Sequence, residues 1–291
     1  MRLTVKDLAR ARSKDRLLPL LLCTLRDENS AVRELRWIRQ ELGNPDRVRR
    51  ACIRRGIYSE PLQYILGTQP FGAMDILCKR EVLIPRWETE EWCLELAKNL
   101  QRWKERLTVV DFCTGTGCIP LALASARRDK EDIFVGADVS ERALSCFSQN
   151  IEFNRHRLGE TTVRKAWCNV MAGSNEVMKQ IELTSCDLVT ANPPYVVQED
   201  YYSQTERSVR IHEPKLALLG DKEFYTAILH HAKQLSAKGA VFEVGSLDQA
   251  LHVCGLGTQL GWEKAIYKKD ANGKIRTAFV WSGDILDGYT K

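Results

Sequence analysis

Beyond residue 107 the chain alternates between two hydrophobic patterns. Short apolar runs at 109–112, 133–137, 163–166, 187–191 and 240–244 read as strands. Stretches 118–126, 140–153, 224–235 and 247–260 read as helices, the second capped by Ser140. Strands alternating with helices imply a mostly parallel, doubly wound α/β sheet. Residues 264–267 and 277–281 flank Asn272-Gly273, a strong hairpin signal, so an antiparallel strand is expected at the sheet edge. The first 66 residues differ. Val32, Leu35, Ile38 and Leu42 recur at three- and four-residue steps and predict a helix. Gly43-Asn44-Pro45 breaks it, Asp46 is expected to cap the next helix, and Gly56 to close that one after the basic Arg54 and Arg55. Three segments are therefore expected: a small all-α N-terminal domain over 1–66, a hairpin linker over 67–85, and an α/β domain over 86–291. The last opens on a helix beginning at Arg86-Trp87-Glu88-Thr89-Glu90, with Trp92, Leu96, Leu100 and Trp103 as its apolar face.

Composition limits the classes. An apolar content of 44% is ordinary for a folded core, and the longest apolar run, 17–25, is too short to span a membrane. Ten cysteines carry no CxxC pair and no zinc-like spacing, so they read as reduced core thiols; no metal is expected. Charge is uneven: residues 1–60 hold 15 Lys and Arg against 8 Asp and Glu, and the rest hold 28 against 30. This basic excess fits a solvated helical surface, docking to an acidic partner or to nucleic-acid-rich machinery, or a targeting role. Arg2, Lys6, Arg10, Arg12, Lys14 and Arg16 favour targeting; Asp7 and Asp15 oppose it, because transit peptides are poor in acids.

The candidate chemistry lies where the strands end. Cys113-Thr114-Gly115-Thr116-Gly117-Cys118 joins the first strand to its helix. Its glycines let backbone approach a ligand, yet it is neither the GxGxxG fingerprint nor a P-loop. That disfavours a pyrophosphate and favours a smaller adenosyl ligand. Asp138 ends the second strand, 23 residues after Gly115, where a carboxylate can accept both hydrogens of a ribose diol. Asn192-Pro193-Pro194-Tyr195 follows the fourth strand. The prolines stiffen the turn and drive Asn192 extended. The Asn192 side-chain oxygen and the Pro193 carbonyl are two acceptors, and Tyr195 offers a flat face. Such a set can grip both hydrogens of a planar NH2 group. A Pro-rich structural turn and a merely structural GxG loop are the plain alternatives; the three features on one carboxyl edge, where open α/β sheets bind ligands, weigh against them.

Asp-x-x-Thr-Gly-Thr-Gly-Cys, Gly-Ala-Asp-Val-Ser and Asn-Pro-Pro-Tyr resemble class I S-adenosylmethionine-dependent methyltransferases acting on planar nitrogens. Gln63-Tyr64-Ile65-Leu66-Gly67, Val82-Leu83-Ile84-Pro85-Arg86-x-Glu88-Thr89-Glu90, His212-Glu213-Pro214-x-x-Ala217-Leu218 and Glu243-Val244-Gly245 resemble the HemK/PrmC family, N5-glutamine methyltransferases of peptide-chain release factors. The likeness covers about residues 30–282. It implies a Rossmann-like class I methyltransferase fold and methylation of the glutamine in a Gly-Gly-Gln loop of a class I release factor. It implies S-adenosylmethionine held by Cys113, Thr114, Gly115, Thr116, Gly117 and Asp138, with Trp167 beside the adenine. Asn192 would touch cofactor and substrate, and Pro193, Pro194 and Tyr195 would line the glutamine. Arg86 and Glu88 fall near the pocket without an assigned role. Cys113 stands where the family usually has glycine and would crowd the methionine end; Trp87 replaces a common proline, and Lys165-Ala166 an acidic position. The likeness also implies a monomer acting on a protein, without nucleic acid or membrane. It implies a mitochondrial location, bacterial cytoplasm being the alternative.

No general base stands out; His212 is the nearest candidate by motif, with a structural role as the alternative. Two competing functions remain at this stage: a DNA adenine-N6 methyltransferase, which would have to flip its base and read flanking DNA, and a non-catalytic release-factor-binding protein.

Overall fold

The computed structural model describes residues 3–289, so Arg2 lies outside the described residues. The chain forms two compact units. One comprises the chain up to Thr68 with Cys78–Arg80 and Thr205–Glu213. The other comprises Gln69–Leu77, Glu81–Gln204 and the chain from Pro214 onward.

The first unit is helical: α1 (Val5–Lys14), α2 (Leu18–Leu25), α3 (Glu28–Leu42), α4 (Pro45–Ile57) and α5 (Leu62–Leu66). Thr4 and Asp7 form a reciprocal capping box at the start of α1. The core contains Leu18, Leu21, Leu22, Leu35, Ile38 and Val48. Three local expectations are corrected. Val32 is exposed at 48%, and Ala31 turns inward with Leu35 and Ile38 instead. Asn44, not Asp46, caps α4: its side-chain oxygen accepts the Asp46 and Arg47 N–H groups at 3.0 and 3.1 Å. An Asn before a proline is held extended, the backbone a cap residue requires. Gly56 does not end α4 but lies inside it, because a Cβ there would stand 2.1 Å from the Leu20 carbonyl oxygen of α2.

The second unit opens with the hairpin β1 (Thr68–Phe71) and β2 (Met74–Leu77), then α6 (Trp87–Leu100). Trp92, Leu96 and Leu100 of α6 are buried as expected; Trp103 falls beyond its end and packs against the same core partly buried. The α/β alternation follows as β3 (Thr108–Phe112), α7 (Cys118–Ala126), β4 (Ile133–Asp138), α8 (Glu141–Phe153), α9 (Arg155–Leu158), β5 (Thr162–Trp167), α10 (Ser174–Ile181) and β6 (Leu188–Ala191). Short helices α11 (Tyr201–Gln204) and α12 (Arg207–His212, in the first unit) and a 3-10 turn at Lys215–Ala217 precede α13 (Lys222–Gln234), β7 (Gly239–Glu243) and α14 (Leu247–Gln259). The strands β8 (Lys264–Lys269) and β9 (Ile275–Trp281) close the chain as the expected hairpin. The sheet order is β5-β4-β3-β6-β7-β9-β8. Pairings from β5 to β7 are parallel and β9 is antiparallel, so the α/β expectation holds. Every residue of β6 and β7 is buried, which explains their continuous apolar runs. The order reverses at β3, where β4 lies on one side and β6 on the other, and that is where such sheets open a crevice.

One buried acid ties β3 to β6. Asp111 pairs in register with Thr190, whose hydroxyl donates to its Oδ1 at 2.7 Å. Burial pushes the Asp111 carboxyl up to about 7 from an ordinary value of 3.8. The folded state therefore keeps this proton where the unfolded chain has released it. The resulting stability is fully present below about pH 4 and lost as pH rises through about 7. Asp111→Asn is expected to flatten urea-unfolding stability across that window; a slope equal to the wild type's would refute this account. Gly56→Ala is expected to lower unfolding stability by about 1–3 kcal/mol, the usual cost of overpacking, seen as a reduced denaturation midpoint.

Candidate active site

The loop from β3 to α7 takes a left-handed path at three positions: Cys113 (φ 58°), Gly115 (φ 55°) and Gly117 (φ 78°). Two backbone bonds fix it, Thr114 N–H to the Ala137 carbonyl at 3.1 Å and Gly117 N–H to the Thr114 carbonyl at 2.8 Å. Gly117 is there for both conformation and space, since a Cβ would lie 1.9 Å from the Phe147 ring. The Gly115 N–H donates to Asp138 Oδ2, and the Ser140 N–H to Oδ1, both at 2.9 Å. These bonds orient the Asp138 carboxylate and leave each oxygen a lone pair. Burial raises the Asp138 pKa, and the backbone donors partly oppose the rise.

A cavity of about 250 Å³ opens beside this loop. Of the residues singled out in the sequence, Cys113, Thr114, Gly115, Thr116, Asp138, Asn192 and Pro194 line it, and Arg86 does too. Gly117, Trp167, Pro193, Tyr195 and Glu88 do not. Trp167, at the end of β5, is 44% exposed and donates through Nε1 to the Val139 carbonyl at 3.0 Å. The wall on that side is made by Val139, Cys168, Asn169, Val170 and Met171. Tyr195 is used as a brace: its hydroxyl donates to Glu243 Oε1 at 3.1 Å, and its carbonyl accepts from Gln249 Nε2 at 3.0 Å. His212 belongs to the first unit and donates to the Tyr58 carbonyl at 2.9 Å.

Asn192 leaves β6 half-buried, its Nδ2 donating to Thr89 Oγ1 at 3.2 Å. Thr89 donates in turn to Glu243 Oε2 at 2.6 Å, and Trp92 Nε1 reaches the same oxygen at 2.9 Å. Burial raises the Glu243 pKa; the Thr89, Trp92 and Tyr195 donors and the Arg276 guanidinium pull it back. Thr89 and Glu243 entered the sequence reading only as letters of motifs. No local pattern could join two residues 154 positions apart. Their surroundings disfavour the thiolate at the cavity cysteines: desolvation holds the half-buried Cys113 well above the ordinary thiol range and pushes Cys118 and Cys168 up to about 12.

The residues fit an adenosyl ligand. Asp138 is an oriented acceptor for a diol, and apolar walls from Val82 to Pro85 and from Val139, Val170 and Met171 suit a base. The Thr114 hydroxyl lies near enough to Asp111 to favour its charge, yet Thr114 Oγ1 and Asp111 Oδ2 are both buried without a completed hydrogen bond. An unpaired buried hydroxyl on the cavity wall is available to the polar end of a ligand. Among the described residues no His, Cys, Asp and Glu cluster could hold a metal, and no helix is long and apolar enough to cross a membrane.

Residues 94–221 match the family model described as methyltransferase small domain. The chain is similar to the mitochondrial MRF1 N(5)-glutamine methyltransferase MTQ1 of Saccharomyces cerevisiae, 34% identical over 90% of this chain and 83% of that protein. It is similar to the probable MRF1 mitochondrial N(5)-glutamine methyltransferase mtq1 of Schizosaccharomyces pombe, 36% identical over 88% of this chain and 89% of that one. A release factor glutamine methyltransferase of Thermodesulfovibrio yellowstonii is 33% identical over 77% of each. Among solved structures, the METTL16 MTase domain superposes with a TM-score of 0.52 at 15% identity, covering 95% of this chain and 92% of that one; it shares the fold. The fold and the family imply use of S-adenosylmethionine. On the identity and coverage of these relatives, the chain belongs to the release factor glutamine methyltransferase family and is an enzyme of that kind.

Proposed function

We propose that this protein transfers the methyl group of S-adenosylmethionine to the side-chain amide nitrogen (N5) of the glutamine in the Gly-Gly-Gln loop of a class I peptide-chain release factor. The observation that carries the reading is Asn192 at the cavity edge, on the strand beside the glycine loop, with its own NH2 engaged by Thr89. That engagement leaves Oδ1 as the end available for an incoming amide hydrogen. Bound S-adenosylmethionine supplies a methyl on a sulfonium, a leaving group that needs no activation by the protein.

The protein's task is the acceptor, because an amide lone pair is delocalised and poorly nucleophilic. Asn192 Oδ1 accepts one hydrogen of the substrate NH2, and the carbonyl of Pro193, which stands between the lining residues Asn192 and Pro194 without lining the cavity itself, accepts the other. The nitrogen then faces the methyl and is free to pyramidalise. Holding the pair in a near-attack geometry can remove several kcal/mol of barrier, and the two acceptor dipoles stabilise the charge developing on nitrogen. Bound S-adenosylmethionine would keep the S–C pair on sulfur as the nitrogen lone pair forms the N–C bond, and the surplus proton would leave to water. Val82, Ile84, Leu216 and Phe224 supply apolar wall that strengthens these contacts by excluding solvent. Cys113, Thr114, Gly115, Thr116 and Asp138 hold the cofactor, and Pro194 lines the glutamine.

The helical first unit carries the basic excess and is assigned to docking the release factor. A mitochondrial location is supported by the two yeast relatives named as mitochondrial enzymes. The enzyme is taken to act as a monomer.

A methyl-transfer assay decides the reading. Labelled S-adenosylmethionine is offered with a mitochondrial-type release factor, the same factor with its Gly-Gly-Gln glutamine changed to alanine, and duplex DNA. Label is expected on the intact factor alone; label on DNA or on the alanine factor overturns the reading. Asn192→Ala is expected to abolish turnover with unchanged unfolding, and near-normal turnover would sink the mechanism.

A further inference from the structure

An asparagine amide has two orientations of nearly equal shape. Turning it by half a revolution exchanges an acceptor for a donor. With Nδ2 toward the cavity, Asn192 would present hydrogens to the hydrogens of its substrate. Something in the protein must therefore choose the orientation, and the structure holds a chain of bonds that does so.

We propose that Thr89 and Glu243 are positioning residues for the transfer: Glu243 sets the direction of the Thr89 hydroxyl, and that hydroxyl sets which end of the Asn192 amide faces the cavity. This rests on the function proposed above and deepens it. The argument begins at Glu243, which is wholly buried at the end of β7. The Trp92 indole N–H can only donate, so the Glu243 Oε2 it reaches at 2.9 Å is held as an acceptor. Oε2 also receives Thr89 Oγ1 at 2.6 Å, and Oε1 receives the Tyr195 hydroxyl at 3.1 Å. Thr89 has one hydroxyl proton, and Oε2 takes it. What remains on Thr89 Oγ1 toward Asn192 is a lone pair, so only Nδ2 can satisfy it, at 3.2 Å. The amide nitrogen is thereby turned to Thr89, and Oδ1 becomes the free end.

The same carboxyl group reaches Tyr195, so both ends of Asn192-Pro193-Pro194-Tyr195 depend on one buried acid. Tyr225 fixes the backbone from which that acid projects, its hydroxyl donating to the Glu243 backbone carbonyl at 3.1 Å. Thr89 is only 2% exposed and lies on the cavity wall, at the start of α6, so a water does not readily replace its hydroxyl.

The test uses the full chain and four variants: Thr89→Val, which keeps shape and loses the hydroxyl, Thr89→Ser, Glu243→Gln and the Thr89→Val/Glu243→Gln pair. Thr89→Val is expected to lower kcat by about 10- to 100-fold, the loss of one buried hydrogen bond in the transition state. The dissociation constant for S-adenosylmethionine should move less than about twofold, because the change acts on the acceptor and not on cofactor binding. Thr89→Ser should restore most of the rate. The pair should fall little further than the worse single variant, since both changes break one chain. An unchanged kcat in Thr89→Val, or losses that multiply in the pair, overturns the inference. A second readout does not need activity or a variant that folds poorly. In asparagine-labelled wild-type protein, the Asn192 Nδ2 pair, assigned by its disappearance in Asn192→Asp, should show one hydrogen slowed in exchange with water. Two hydrogens exchanging at the free rate overturn the inference. If the wild type fails to label any release factor, the proposed function falls, while this exchange measurement still decides the orientation.

Discussion

One in-register row across four parallel strands governs the position of every group in the site. Ala137 of β4, Phe112 of β3, Ala191 of β6 and Phe242 of β7 are partners across the sheet. The next residue on each strand is Asp138, Cys113, Asn192 and Glu243. The oriented carboxylate, the glycine loop, the amide and the buried acid thus leave the sheet at one level. A slip of one residue in any of these strands would turn its site residue to the opposite face. Both faces of these strands are apolar, Val110, Val189 and Ala240 packing into one core and Val109, Leu188 and Val241 into the other, so an apolar–polar alternation does not set the register here and the packing of differently shaped side chains must.

That placement is costly to stability. Asp111 and Glu243 are fully buried acids, and burial alone would neutralise them. Donors from other elements oppose the rise in pKa in part. For Glu243 these come from α6 and from the turn after β6; for Asp111, from the next strand. Removing one donor from such a group costs more than the bond contributed, because the remaining partner stays buried and unpaired. The acids therefore make the approach of α6 to the sheet specific, beyond what the apolar contacts of Trp92 and Leu96 could do.

What could be read in the chain was what is local. The alternation of strand and helix, the Asn-Gly hairpin and the Ser140 cap each depend on neighbours within a few residues, and each appears as expected. Gathering the glycine loop, Asp138 and Asn192 on one edge needed only the rule that parallel strands end together. The missed features are those in which a distant element decides. Gly56 answers to the Leu20 carbonyl and not to its own helix end. The exposure of Val32 follows from how α3 is rotated onto its neighbours, which its own periodicity leaves open by one position. The Tyr195 ring was read as a wall, but its hydroxyl seeks a carboxylate that arrives 48 residues later. The link from Thr89 to Glu243 is the extreme case, since Thr89 stands among Glu88, Glu90 and Glu91 while Glu243 ends an apolar strand, and neither neighbourhood points to the other.

Cys113 shows how much departure the loop can absorb. A side chain in the left-handed region costs roughly 1–2 kcal/mol, which glycine would avoid. The loop keeps its course because its flanking bonds do not involve that side chain: Thr114 is tied to β4 and Gly117 to Thr114, both through backbone. The strain is thus confined to one residue, and the thiol adds bulk to the cavity wall in surroundings that disfavour its thiolate. Backbone bonds set the shape of the loop around Cys113, whereas the side-chain bonds of Thr89 and Glu243 set the direction of Asn192. On the proposed mechanism, substitution is for that reason better tolerated at Cys113 than at Asn192.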